Sequence, residues 1–179
     1  TVMMMGTFPP EQSKRAMEFH YPNFQNDMWR VFGLVFFDEK DHFRNGEEKA
    51  MDPEKIKAFL SEAGIASCPT VLKAIREKEN ASDAFLKVVE PVPLADVLEQ
   101  IPDCKHIGTT GGKATEILLS LLPEKVKLPK TGETIPFVFN GRELTLTRLP
   151  STSRAYPLSL PKKAEAYKNF FKACGLKTK

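Results

Sequence analysis

His106-Ile-Gly-Thr-Thr110-Gly111-Gly112-Lys113-Ala-Thr-Glu-Ile-Leu-Leu-Ser-Leu-Leu122 reads as a strand, a glycine turn and a helix in immediate succession. The strand is His106–Thr110, and the helix runs from Lys113 to about Leu122. Working outward, Val2–Met5 is an apolar run that stops at Gly6, the pattern of a buried strand feeding the loop Gly6-Thr-Phe-Pro-Pro10. Pro9 and Pro10 prevent simple continuation as strand or helix. Asn26–Phe37 places Met28, Trp29, Val31, Phe32, Val35 and Phe36 as a buried helix would. Asp38–Glu48 is charged and reads as a solvated loop, with Asp41-His42 facing water.

Asp52 followed by Pro53 is a capped helix start, with an expected end at Ala63 before Gly64. Ile65-Ala66 begins a short strand, which Pro69 interrupts. Thr70–Arg76 is expected to be helical, Lys73–Asp83 a polar connection, and Leu94–Ile101 helical. Phe137–Phe139 and Leu144–Leu146 flank Asn140-Gly141, a hairpin signal. The second strand of that hairpin empties into the loop Leu149–Pro161. Ser159 is the expected cap of a last helix, whose Tyr167, Phe170, Phe171 and Cys174 share one face, with Gly175 beyond. Strands alternating with helices predict an α/β fold of three layers, α/β/α, around a short, mostly parallel central sheet. In such folds ligands bind where loops leave the carboxyl ends of strands, here Gly6–Pro10, Thr109–Lys113 and Leu149–Arg154.

The 179 residues suit one domain spanning 1–179, with 41% hydrophobic and 27% charged residues in an ordinary globular balance. No apolar run approaches the roughly 18–20 residues of a membrane span, and Val2–Met5 is too short for a signal peptide. A net charge of +3 permits a polyanionic partner without requiring one. The three cysteines, Cys68, Cys104 and Cys174, have no metal-ligand spacing and are expected to be reduced thiols of a cytoplasmic protein. No cofactor and no metal is expected.

Three constellations carry chemistry. Phe19-His-Tyr21-Pro-Asn-Phe-Gln-Asn26-Asp27-Met-Trp29 gathers aromatic, amide and carboxylate groups, suited to stacking on a planar ring and bonding its edge. The rings alone fit core anchors equally well. Thr109-Thr110-Gly111-Gly112-Lys113 has the order of a phosphate cradle but not Walker A spacing. A close-packed turn fits it at least as well. Leu149-Pro-Ser151-Thr152-Ser153-Arg154 offers hydroxyls and a guanidinium to a phosphate backbone. The three histidines belong to no catalytic motif.

Taken jointly and in order, Gly6-Thr7-Phe8-Pro9, Tyr21–Trp29, Gly64-Ile65-Ala66, Thr110-Gly-Gly-Lys-Ala114 and Leu149-Pro-Ser-Thr-Ser153 resemble the uracil-DNA glycosylase superfamily. The nearest branches are the mismatch-specific uracil/thymine-DNA glycosylases and the hypoxanthine-DNA glycosylases. The resemblance implies a uracil-DNA glycosylase-like fold and a monomeric, monofunctional enzyme of base excision repair. Its substrate would be damaged or mismatched DNA, duplex or single-stranded. It implies that Gly6, Thr7, Phe8 and Pro9 line the base pocket, with Thr110 and Gly111, and that Tyr21 stacks on the flipped base. Asn26 matches a catalytic asparagine of the hypoxanthine branch, with Asp27 beside it as a second catalytic candidate. Ser151, Thr152 and Ser153 match a phosphate-gripping motif, Arg154 lies near the position that fills the gap left by the extruded base, and Lys113 adds a DNA contact.

Two positions depart from the pattern. The mismatch-specific branch has its catalytic asparagine where this chain has Phe8, and phenylalanine cannot orient a water. Either Asn26 carries that role, with or without help from Asp27, or the chain binds DNA without chemistry. Relatives more often carry an acidic residue where this chain has Pro69. An unrelated α/β enzyme binding a phosphorylated metabolite at Gly111–Lys113 is the third reading.

Overall fold

A computed structural model describes residues 1–7, 19–22, 24–76 and 86–179, apart from the side chains of Ile75, Arg76 and Leu86. The strands are β1 (Val2–Gly6), β2 (Ile65–Pro69), β3 (Val71–Arg76), β4 (Leu86–Pro91), β5 (His106–Thr110), β6 (Thr134–Phe139) and β7 (Arg142–Leu149). The helices are α1 (Met28–Phe37), α2 (Pro53–Ala63), α3 (Leu94–Gln100), α4 (Gly112–Ser120) and α5 (Leu160–Ala173). By contacts the chain divides into two compact units, Thr1–Pro9 with Ala66–Leu149, and Pro10–Ile65 with Pro150–Lys179. Among the described residues, no helix is long and apolar enough to cross a membrane.

The first unit is built on a sheet of strand order β2-β1-β5-β7-β6. β1 and β5 pair in parallel, as do β5 and β7, while β6 pairs antiparallel with β7. This is the mostly parallel α/β architecture that the alternation predicts. β1 is buried along its whole length, which explains its unbroken apolar run. Its Met3 and Met5 enter a core with Leu98, Ile107, Leu118, Phe137 and Leu146. The β6–β7 hairpin turns through Asn140 and Gly141 at φ +48° and +76°, the left-handed pair a two-residue hairpin requires.

Two expectations fail in this unit. Thr70–Arg76 is a strand rather than a helix. β3 pairs antiparallel with β4, a strand the sequence reading did not anticipate. The pairing puts Val71, Ala74 and Val88 against Ile117 of α4, a nonlocal burial that outweighs local helix propensity. The polar connection expected over Lys73–Asp83 therefore begins inside β3, and its residues 77–83 lie outside the described residues. β2 begins at Ile65 and ends at Pro69, where the sequence places the interruption.

The second unit is helical. Asp52 Oδ1 accepts the Glu54 and Lys55 N–H groups at 3.1 and 3.2 Å, and Gly64 ends α2 at φ +70°. Phe32 and Phe36 of α1 pack on Phe171 of α5 with ring centroids 5.4 and 5.0 Å apart. The charged loop after α1 is less solvated than its composition implies. Phe43 is fully buried, and His42 stacks on Phe37 at 3.6 Å. One aromatic residue pulls the loop inward because its burial outweighs the solvation of its neighbours. Ser159 stands at the start of α5, yet its side chain makes no capping bond; its carbonyl accepts the Lys163 N–H at 3.0 Å. Cys68, Cys104 and Cys174 form no disulfide, and burial pushes the Cys68 and Cys104 thiols up.

Candidate active site

In the first unit, parallel pairing aligns the carboxyl ends of β1, β5 and β7: Met5 lies opposite Thr109, and Thr110 opposite Leu149. Gly6, Thr7, Thr110 and Gly111 are thereby brought to one edge of the sheet. Thr7 and Thr110 are buried there. The Gly6 carbonyl accepts the Thr70 N–H at 2.7 Å, and the Thr7 carbonyl accepts the Val71 N–H at 3.2 Å. Gly111 takes φ +96°, a conformation that favours glycine, and donates its N–H to the Leu149 carbonyl at 2.9 Å. A buried hydroxyl pair holds this turn from beneath. Thr109 and Thr115 share a hydrogen bond at 2.7 Å, and the Thr115 hydroxyl donates to the Gly111 carbonyl at 2.8 Å.

Gly112 has a different reason to be glycine: a Cβ there would stand 2.8 Å from an Arg148 guanidinium nitrogen. The glycine pair therefore serves both a left-handed turn and a close approach. Lys113 is half-buried in the first turn of α4. Phe8 and Pro9 lie outside the described residues.

In the second unit, Trp29 is a buried anchor whose indole N–H donates to the His20 carbonyl at 3.0 Å. Phe19 stacks on it at 6.0 Å, and Tyr21 meets it edge-on at 5.9 Å. Tyr21 is half-buried at φ +51°, an uncommon conformation for a bulky residue and one that tends to mark functional sites.

Asn26 and Asp27 divide their work. The Asn26 side-chain oxygen accepts the Met28 N–H at 2.9 Å, whereas the Asp27 side chain makes no capping bond. Asp27 is instead the hub of an ion cluster. Its Oδ2 accepts from Lys163 Nζ at 3.1 Å, its Oδ1 accepts from Arg154 Nε at 3.4 Å, and Arg30 stands 3.6 Å away. Arg30 also donates to the Phe24 and Asn26 carbonyls at 2.7 and 3.1 Å and lies over the Phe24 ring. Burial first, and then the Arg154 charge, lowers its pKa. Three cations thus face one carboxylate, and of the three Arg30 and Lys163 are buried while Arg154 is half exposed.

The same cluster fixes the loop after β7. The Thr152 carbonyl accepts the Asp27 N–H at 2.8 Å, and the Ser153 carbonyl accepts from Lys163 Nζ at 2.9 Å. Thr152 is buried. The Ser151 and Ser153 hydroxyls accept the Ser153 and Ala155 N–H groups at 3.2 and 3.3 Å. Arg154 also donates to Gln25 Oε1 at 2.8 Å, and its side chain is half exposed. The hydroxyl of buried Tyr167 donates to the Pro150 carbonyl at 2.7 Å, and burial raises its pKa well above the ordinary value.

Asn26, Asp27, Ser151, Thr152, Ser153 and Arg154 are therefore gathered in one unit, although distant in sequence. The sequence reading passed over Arg30 and Lys163. Each had left a signal: Arg30 is the one charge in the helix MWRVFGLVFF, and Lys163 shares the apolar stripe of Tyr167, Phe170 and Phe171. A charge on a buried face needs a partner, and Asp27 supplies it. Among the described residues, no cluster of His, Cys, Asp or Glu could hold a metal.

No protein-family model matches the sequence, and no curated protein matches it. The structure is similar to the solution NMR structure of "a putative Uracil DNA glycosylase" from Methanosarcina acetivorans. The two superpose with a TM-score of 0.57 at 20% identity, covering 95% of this chain and 90% of that one. The likeness establishes a shared α/β fold.

Proposed function

We propose that this chain is a DNA glycosylase that flips a deaminated or mismatched base from DNA and hydrolyses its N-glycosidic bond. A single domain spanning 1–179 would carry the activity. One observation carries the reading. The Asp27 N–H and the Thr152 carbonyl, 2.8 Å apart, join the two segments that resemble the family's catalytic and DNA-gripping motifs. The fold, shared with a protein described as a putative uracil DNA glycosylase, supports it.

In this reading Asn26 positions the attacking water near the sugar carbon as the base departs with negative charge. The bond to the Met28 N–H holds the amide in one orientation, while the oxygen keeps a second lone pair for water. Asp27, occupied by three cations, stabilises charge and fastens the site instead of abstracting a proton. Tyr21 stacks on the extruded base, and Gly6, Thr7, Phe8, Pro9, Thr110 and Gly111 supply the groups that read it. Ser151, Ser153, Arg154 and Lys113 bind the phosphate backbone, while Thr152, expected from the sequence to join them, is buried and fastens the loop through the Asp27 N–H. The Lys163 ammonium is committed to a carboxylate and a carbonyl, which favours simple hydrolysis over attack by an amine.

The test is incubation with duplex and single-stranded oligonucleotides bearing uracil, hypoxanthine, xanthine or a G·T mismatch, followed by alkali. Strand breaks that appear only after alkali are expected. Absence of both cleavage and DNA binding would overturn the assignment. Phe8 favours a second reading, a DNA-binding protein of this fold without chemistry. That reading predicts tight, salt-dependent binding and no breaks.

A further inference from the structure

Lys163 is 1% exposed, and no motif singles it out. Its ammonium donates to Asp27 Oδ2 at 3.1 Å and to the Ser153 carbonyl at 2.9 Å. One acceptor belongs to the residue ahead of α1, the other to the loop that follows β7. One turn further along α5, the Tyr167 hydroxyl holds the Pro150 carbonyl. Helix α5 therefore grips the loop at both ends, by Tyr167 at Pro150 and by Lys163 at Ser153.

Asp27 has two carboxylate oxygens and divides them: Oδ2 takes Lys163, while Oδ1 takes Arg154. A buried carboxylate left without a counter-ion is strongly destabilising. Without Lys163, Asp27 would keep Arg154 and Arg30 on Oδ1 but lose the one cation on Oδ2, and the loop would lose its tie at the Ser153 carbonyl.

We propose that Lys163 is a positioning residue for nucleic-acid binding by Ser151–Arg154. It shares the Asp27 charge with Arg154 and Arg30, and it holds the Ser153 carbonyl so that the loop keeps one shape. The proposal rests on the DNA-binding reading above and adds a residue that touches no nucleic acid.

The test compares the wild-type chain with Lys163→Met and with the paired variant Lys163→Met/Asp27→Asn. The pair removes the carboxylate that has lost its closest cation and covers the case in which the single variant does not fold. Two quantities are read. The first is hydrogen exchange at the Ala155 and Tyr156 amides, whose acceptors are the Ser153 hydroxyl and carbonyl. The second is affinity, across a salt series, for duplex DNA carrying a tetrahydrofuran abasic-site analogue.

Exchange at those two amides should rise about tenfold while Phe170 and Phe171 stay protected, and DNA affinity should fall roughly tenfold. The salt slope should not change, whereas Arg154→Ala should lower it by about one. Unchanged exchange and affinity in the folded variant would overturn the proposal. So would a slope lowered by one, which would make Lys163 a phosphate contact. If the wild-type chain binds no DNA, the functional reading itself fails. Intact wild-type binding with no effect of the variants refutes the role of Lys163 alone.

Discussion

The Asn26 side-chain oxygen lies 2.9 Å from the Met28 backbone nitrogen, so the first turn of α1 is capped by the residue ahead of Asp27. This separates two duties at one position. Asn26→Asp keeps the acceptor and should hold stability within about 0.5 kcal/mol, whereas Asn26→Ala should cost about 1 kcal/mol. Both should lower the glycosidic cleavage rate on the order of a hundredfold. Urea denaturation and single-turnover rates, measured side by side, check this. Full rate in Asn26→Ala would remove Asn26 from the chemistry.

The Gly111 carbonyl takes two donors from Thr115, its hydroxyl at 2.8 Å and its N–H at 3.3 Å. Thr115→Val retains shape but leaves the Gly111 carbonyl without its side-chain donor. Thr109 then keeps only a 3.4 Å bond to the Thr147 carbonyl. A loss of about 1 kcal/mol is expected from the missing hydrogen bonds. Because Thr110 and Gly111 are proposed to read the base, KM should rise more than kcat falls. Steady-state kinetics on the best oligonucleotide would show it.

Arg142 gathers four carbonyls, those of Leu98, Ile101, Pro102 and Cys104, at 2.6 to 3.1 Å. It thereby closes the end of α3 and the turn that leads into β5. Arg142→Ala should destabilise by about 2–3 kcal/mol, since charged donors to buried carbonyls are among the stronger hydrogen bonds. The midpoint of chemical denaturation should drop. DNA affinity below that midpoint should match wild type.

Gly33 sits in mid-helix for a steric reason. A Cβ there would collide with the Glu39 carbonyl, whose residue folds back to donate its N–H to the Gly33 carbonyl at 3.1 Å. Ordinarily alanine stabilises a helix interior relative to glycine. Here Gly33→Ala should instead cost roughly 1–3 kcal/mol as overpacking. A raised melting temperature would contradict that.

Acid should weaken the fold through its histidines. Burial lowers the pKa of His20, and burial followed by nearby positive charge lowers His42 and His106, all below the ordinary 6.5. The unfolded chain therefore binds protons first as pH falls. Stability from these groups is complete above about pH 6.5 and declines below it, until the folded-state histidines also protonate. Denaturation at pH 7.5 and 5.5 should show the decline, and His20→Asn should shrink it.

Several features were legible in the sequence because their causes are local. Asp52, Pro53 and Gly64 bound α2 through one cap, one fixed φ and one left-handed residue. Asn140-Gly141 specified its hairpin in the same way. β3 and β4 were not legible, because each is a strand only by virtue of the other. Thr70–Arg76 carries enough helix-compatible residues to mislead when read alone.

The candidate site divides along the same line. Its two segments, Tyr21–Trp29 and Leu149–Arg154, could be singled out from residue types and order, as could Asn26 as a candidate for catalysis. The tertiary structure decided what Asp27 does. Its carboxylate leaves the cap to Asn26 and collects Arg30, Arg154 and Lys163. Asp27 and Arg30 stand at i, i+3, but no spacing brings Arg154 and Lys163 to them. Capping depends on neighbours two or three positions away, whereas a buried charge takes whatever partner the packed helices bring within reach.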